Sequence, residues 1–331
     1  MNDPKDHSKL PPAAFVLIAV LLWSTGGLFI KLTTLDAYQV TFFRSLLAGI
    51  TVAILTRKLG LKINWFGVLT SIIYATLLFL FVWATKKTTA ANAIFLQYTA
   101  PIYILILAPF VIGEKFHWRD LVTVIFCIGG MSLFFVGKLE ISDYQGNIAA
   151  LFSGLFLGLY IMLLKHPRTT GTHPTSLPTS GAGGDDFDPK DRGASSEDPN
   201  PKSKIQNPKS TNPAISVIYG NFLLALLTLP SGIAAVPVMN LTDISSVTWL
   251  GIVQIGISYI LLIRGVTTGT RPLDASIIGF IEPLLNPVWV FLFVGEQPSV
   301  WALFGGCIII ATVIAHSLVQ FRNSRAEATA L

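Results

Sequence analysis

A carboxylate in the middle of an apolar run is the most suggestive chemistry in this sequence. Glu282 lies inside the run 272–294, and Pro283, Asn286 and Pro287 follow it closely. An ionised side chain facing lipid costs about 2.5–3.5 kcal/mol on insertion scales, so a charge at that depth should face protein or water. Each proline lacks an N–H and crowds the carbonyl four residues earlier. Pro283 and Pro287 therefore predict a broken or kinked helix with free carbonyls beside the acid and the Asn286 amide. Such backbone must line a cavity or be covered by protein. One reading makes Glu282 a binding group for a solute or a proton. The other makes it half of a structural ion pair with Arg44 or Arg264.

Arg44 sits within the run 37–56. It keeps its charge, which suits either an anionic substrate group or a permanent counter-ion. Arg264 and Lys31 stand nearer the ends of their runs, where long cationic side chains snorkel to the interface. Trp23, Ser24, Gln97, Tyr98, Tyr103, Tyr160, Gln254 and Tyr259 are uncharged polar or aromatic groups within runs. Small-solute sites combine aromatic walls with a few fixed polar groups; singly, each such residue is more often a packing or interface residue. Gln97, Tyr98 and Pro101 lie close together, and Pro101 predicts a break in its own helix. The candidate binding or coupling set is thus Glu282, Arg44, Asn286, Gln97, Tyr98, Trp23 and Tyr259. Gly154 and Gly158 form a small-xxx-small pair suited to close helix packing.

These groups need elements to hold them. Hydrophobic residues are 52% of the chain and charged residues 12%, where a soluble domain carries about 25% charged residues. Mean hydropathy is +0.63. Apolar runs long enough to cross a hydrocarbon core of about 30 Å recur along the chain. They predict helices near 13–32, 37–56, 65–85, 89–112 and 118–137, then 145–165, 214–237, 246–266, 272–294 and 299–320. Continuous runs exclude a β-barrel, whose strands alternate. The expected class is an all-α integral membrane protein of about ten transmembrane helices. The first run has no convincing cleavage site and reads as a retained span.

The domain plan has an N-terminal tail (1–12), a first five-helix repeat (13–137) and a second (145–320), with a C-terminal tail (321–331). The segment 166–213 interrupts the second repeat. It is rich in Pro, Gly, Ser, Thr, Asp and Lys, and reads as a disordered cytoplasmic linker. Lys31, Lys86, Lys87 and Lys138 fall on one side of the membrane, against 17 Lys and Arg on the other. The positive-inside rule then places both termini in the cytoplasm, in the cell (inner) membrane. The formal charge of +5 is spread in short clusters between apolar runs, which fits orientation and not nucleic-acid binding.

The two halves echo one another. Ala93 and Pro101 precede Gly113-Glu114 as Ala275 and Pro283 precede Gly295-Glu296, with spacings of 8 and 13 in both. Trp65-Phe66-Gly67 matches Trp249-Leu250-Gly251. Five helices per half would insert with opposite orientation, placing Glu114 inside and Glu296 outside. Inverted repeats recur in secondary transporters, with the substrate near the midplane.

On these residues the chain resembles the EamA-like permeases of the drug/metabolite transporter superfamily. The matching marks are Trp23, Gly26-Gly27 and Lys31 in the first helix, Arg44 in the second, Pro101 with Gly113-Glu114 in the fourth, and Glu282-Pro283 with Gly295-Glu296 in the ninth. The resemblance covers both halves. It implies a ten-helix inverted-repeat fold and export or exchange of small metabolites, with no single substrate. The linker departs from the compact family pattern.

No metal, phosphate-loop or hydrolase motif is recognisable, so no catalytic residue, metal or cofactor is expected. Cys127 and Cys307 lie in apolar runs and read as small buried hydrophobes. Asn240-Leu241-Thr242 is a glycosylation-type triplet that also occurs by chance. The expected function is secondary transport of a small organic solute by alternating access, through efflux or exchange. Glu282 could then couple a proton. The alternatives are a membrane-embedded enzyme acting on a lipid-linked substrate and a non-transporting receptor or scaffold. Expected partners are a small-molecule solute, the lipid bilayer, protons as one coupling option and a second copy as one assembly option.

Overall fold

The computed structural model describes residues 10–88, 90–133, 136, 144–170, 212–294 and 300–329. Most of the 166–213 linker, the first nine residues, Lys138, Gly295 and Glu296 lie outside these, as do the side chains of Lys31, Asn286 and Pro287. The described residues form helices joined by turns and irregular loops, with no strand among them. Its elements are α1 (Pro12–Trp23), α2 (Gly26–Leu32), α3 (Ala37–Leu55), α4 (Trp65–Lys87), α5 (Ala90–Gln97), α6 (Ala100–Val111), α7 (Trp118–Leu133) and α8 (Tyr144–Lys165). They continue with α9 (Pro167–Thr170), α10 (Ile215–Leu227), α11 (Leu229–Ala235), α12 (Leu241–Thr248), α13 (Ser258–Thr268), α14 (Pro272–Gly279), α15 (Ile281–Val294) and α16 (Val300–Thr329). A π-helical stretch, Trp249–Ile257, joins α12 to α13.

Local chemistry sets the helix boundaries. Asp36 accepts from the Gln39 N–H at 2.9 Å while Gln39 Oε1 accepts from the Asp36 N–H at 2.9 Å, a reciprocal cap that starts α3. Asn64 caps α4 through the Gly67 N–H at 2.7 Å. Asn240 and Asp243 make the same reciprocal cap on α12, so the glycosylation-type triplet begins with an asparagine already engaged as a cap. Gly113 ends α6 at φ +72°, a left-handed position that costs glycine little.

Seven described helices are long and apolar enough to cross a membrane, and an eighth qualifies if the bent pair α10–α11 counts as one span. The sequence expectation was about ten. The difference lies where helices are short or interrupted. The described helix α7 stops at Leu133, and the run 272–294 is divided between α14 and α15. Large apolar side chains cover the outside; Phe110 and Leu241 are 84% and 81% exposed. Such a surface needs lipid around it. Cys307 belongs to this exposed face and corrects the expectation of two buried cysteines; Cys127 is buried. The last helix also runs to Thr329, through most of the expected C-terminal tail.

Two main cores organise the bundle. One joins α1, α3, α4, α8, α10 and α13, with Ala275 and Ile278 of α14, through residues such as Val20, Ala48, Tyr74, Tyr160, Ile218 and Tyr259. The other joins α6, α7, α14 and α16, with Met162 of α8, through Ile104, Met131, Ile277 and Ile309. Each core mixes elements from both halves of the sequence. Ile281 packs against both, so it marks the seam between them.

Polar contacts fasten the bundle ends. At one end, Arg271 holds Asp120 at 3.1 and 3.3 Å and Asp274 at 3.0 and 2.7 Å. His316 Nε2 lies 2.8 Å from Asp274. Nearby, Lys165 of α8 meets Glu114 at 2.9 Å, tying the first core to the turn after α6. Asn212 donates to Thr56 and to the Gly60 carbonyl, each at 3.1 Å. At the opposite end, Asp243 accepts from Thr33 Oγ1 at 2.8 Å and the Thr34 N–H at 2.7 Å.

Candidate functional site at the paired helix breaks

Two helices break at repeat-related positions. The helix expected over 89–112 is two pieces, α5 and α6, separated by Tyr98 and Thr99. The run 272–294 divides at Phe280. Tyr98 and Phe280 each stand three residues before their proline, Pro101 or Pro283. The cause is chemical: Pro101 has no N–H for the Gln97 carbonyl and Pro283 has none for that of Gly279. Pro287 does not end its helix, since α15 continues through it. The effective interruption therefore lies ahead of Glu282, not between it and Asn286.

The breaks meet. The Tyr98 and Phe280 rings lie 5.4 Å apart. A Cβ added at Gly279 would stand 3.4 Å from Tyr98 Cε1 and 3.9 Å from its hydroxyl, so the tyrosine ring lies close beside the partner break. The Tyr98 hydroxyl donates to Glu282 Oε2 at 2.6 Å, the short separation of a bond to a carboxylate. Glu282 is partly buried and directly follows the seam residue Ile281. A broken helix thus delivers an acid to the boundary of two packed cores.

Across the seam stands an aromatic wall. Tyr259 contacts Trp23 at 5.0 Å between ring centroids and Tyr74 at 5.0 Å; Tyr74 contacts Tyr160 at 5.1 Å. Asn221 donates to the Tyr74 hydroxyl at 3.1 Å, and the Tyr160 and Ser216 hydroxyls lie 3.3 Å apart. Arg44 is 3% exposed and within electrostatic reach of Tyr74 and Tyr259. Its Nε and Nη2 have no hydrogen-bond partner among the described residues, and neither does Trp23 Nε1. Tyr259 lies within electrostatic reach of both Arg44 and Glu282.

The candidates therefore separate. Glu282 and Tyr98 form a bonded pair, while Trp23 and Tyr259 form part of the wall with Arg44 beside it. Gln97 turns away: its amide donates to Ser153 on α8 at 2.8 Å, and Ser153 donates on to the Leu77 carbonyl at 3.0 Å. Glu282 pairs with neither Arg44 nor Arg264 among the described residues. Arg264 is exposed, with its guanidinium 4.4 Å from the Phe15 ring centroid, the arrangement expected of a snorkelling cation.

A third break precedes the site. The run expected over 13–32 is interrupted at Ser24 and Thr25, between α1 and α2. Both hydroxyls bond back to their own helix, Ser24 to Leu21 and Thr25 to Leu22, at 2.7 Å each. Trp289 Nε1 donates to Ser24 at 2.9 Å and Trp249 Nε1 to Thr25 at 3.0 Å. Trp289, Trp249, Tyr74 and Phe280 were not among the sequence candidates. Tyr74 carried the same signal as Tyr160, a tyrosine in mid-span. The two tryptophans carried none, because their partners lie more than two hundred residues away.

Comparison with known proteins agrees with this architecture. Residues 10–136 match the EamA-like transporter family. A protein of Archaeoglobus fulgidus described as an uncharacterized transporter is 23% identical over 321 residues, covering 92% of this chain and 96% of its own. A crystal structure at 16% identity superposes with a TM-score of 0.68 over 93% of this chain and 97% of the other, a likeness of fold. The family match over residues 10–136 and the transporter relative along most of the chain both point to a membrane transporter.

Proposed function

We propose that this protein is a secondary transporter of a small organic solute, working by alternating access around the seam that carries Glu282. The reading rests on one observation above all. Two repeat-related helix breaks meet, and a carboxylate bonded to a tyrosine stands at that meeting point. Broken helices at mid-depth are how transporters bring polar groups into an apolar interior without exposing them to lipid. The proposed frame is ten helices in two inverted five-helix repeats, with both termini in the cytoplasm of a cell with this inner membrane. The moving bodies are the two cores, each drawn from both repeats, in place of the repeats themselves. The Lys165–Glu114 bridge crosses between them and acts as a latch on the cytoplasmic side.

Glu282 binds the coupling proton, and the aromatic wall holds the apolar part of the solute. The test is uptake into proteoliposomes of pooled labelled amino acids, nucleosides, sugars and organic acids. Saturable uptake that accelerates when the same solute is preloaded unlabelled is the expected result. Uptake no greater than in protein-free vesicles, with folded protein present in the bilayer, overturns the proposal.

A further inference from the structure

We infer that the transported solute carries a carboxylate, received by the Nε and Nη2 edge of Arg44. This rests on the transporter reading and names the substrate class of the same site.

A guanidinium cannot shed its proton, so burial leaves it charged. Arg44 is 3% exposed, and two of its nitrogens lack a partner. Among the described residues, no carboxylate lies within 4.0 Å of it. A buried charge without partners is costly unless something pairs with it in the working cycle. The two free atoms belong to one edge of the guanidinium fork, the edge that matches the two oxygens of a carboxylate. The protein uses this geometry elsewhere: Arg271 holds the Asp274 carboxylate through the same two atoms, at 3.0 and 2.7 Å.

The surroundings narrow the anion further. Arg44 supplies one positive charge, which balances a monoanion; a phosphate dianion would leave excess negative charge facing Glu282 across Tyr259. Trp23 Nε1 is a further unpartnered donor on the same wall. Tyr74 and Tyr259, within electrostatic reach of Arg44, are the rings that an apolar body attached to the carboxylate would meet. A compact organic monocarboxylate satisfies all of these groups together.

The experiment is competition in proteoliposomes against whichever labelled solute of the pool is taken up. The competitors are matched pairs: phenylacetate and phenylacetamide, pyruvate and pyruvamide, L-phenylalanine and its amide. Inorganic phosphate, adenosine and glucose complete the set. The expected result is that carboxylates compete and their amides are weaker by about tenfold or more, the scale of losing a charge-assisted bond. In Arg44→Gln that gap closes; in Arg44→Lys, which keeps the charge but not the fork, it narrows. The gap in the wild type is informative even if Arg44→Gln fails to fold. Amides matching carboxylates, competition by phosphate or neutral solutes alone, or a full gap retained in folded Arg44→Gln would each overturn the assignment while leaving the transporter reading intact. Absence of saturable uptake of every solute would instead remove the transporter reading and this inference with it.

Discussion

Gly154 is where a single methyl group should disturb the site most directly. The glycine lies in α8 against the end of α5. A Cβ built there would stand 2.7 Å from the Gln97 carbonyl oxygen, 3.1 Å from Thr99 Oγ1 and 3.2 Å from the Leu96 carbonyl oxygen. The nearest obstacle is backbone, and Gln97 is the residue whose carbonyl Pro101 leaves unclaimed. Gly154→Ala gains about 1 kcal/mol of helix propensity. Overpacking against atoms that cannot rotate away costs about 1–3 kcal/mol or somewhat more. The net expectation is destabilisation of up to about 2 kcal/mol, with the strain delivered to the break that aims Tyr98 at Glu282.

Two controls bracket it. At Gly158 the nearest atom would be the Ala100 carbonyl oxygen at 3.1 Å, and at Gly129 nothing lies within 4 Å. Gly158→Ala should fall within about 0.5 kcal/mol of wild type, and Gly129→Ala should gain roughly 0.5–1 kcal/mol. The assay is reversible unfolding in mixed detergent micelles, followed by far-UV circular dichroism. A Gly154→Ala protein as stable as Gly129→Ala would refute the packing argument.

Three further outcomes follow from the same geometry. A double-mutant cycle of Tyr98→Phe and Glu282→Gln should return a coupling of about 0.5–3 kcal/mol in unfolding free energy, and a value near zero would deny that the bond stabilises the fold. Arg271→Gln leaves Asp120 and Asp274 facing each other; it should cost about 2–3 kcal/mol in the same unfolding assay, less than a fully buried pair because Arg271 keeps some exposure. Replacing residues 171–211 by a short Gly/Ser bridge should preserve most of the flux, because Thr169 and Asn212 line one common cleft. Loss of flux with intact folding would point to a role for the linker.

The sequence made the apolar helices and the prolines legible, because length and missing N–H groups are local properties. Pro101 and Pro283 announce their breaks, and the structure adds where the chain gives way, at Tyr98 and Phe280. Partner choice was not legible. Glu282 and Tyr98 were both candidates, yet nothing local joins residues 184 positions apart. Gln97, adjacent to Tyr98, points to α8, a difference set by rotation about the helix axis at an irregular turn. The Asp120–Arg271–Asp274–His316 network escaped notice for the same reason, since three helices contribute to it. Its one local trace was the Arg271–Asp274 spacing, the i,i+3 separation of neighbours on a helix. The division into two mixed cores was equally hidden, because periodicity reports which face of a helix is apolar and not which helix it meets.

The most direct test of the central claim is uptake into proteoliposomes with and without an imposed pH gradient, for wild type and Glu282→Gln side by side. Saturable wild-type uptake that responds to the gradient is expected, with loss of that response in Glu282→Gln while the protein stays folded. A gradient response that survives intact in Glu282→Gln would contradict the assignment of Glu282 as the coupling group at the paired breaks.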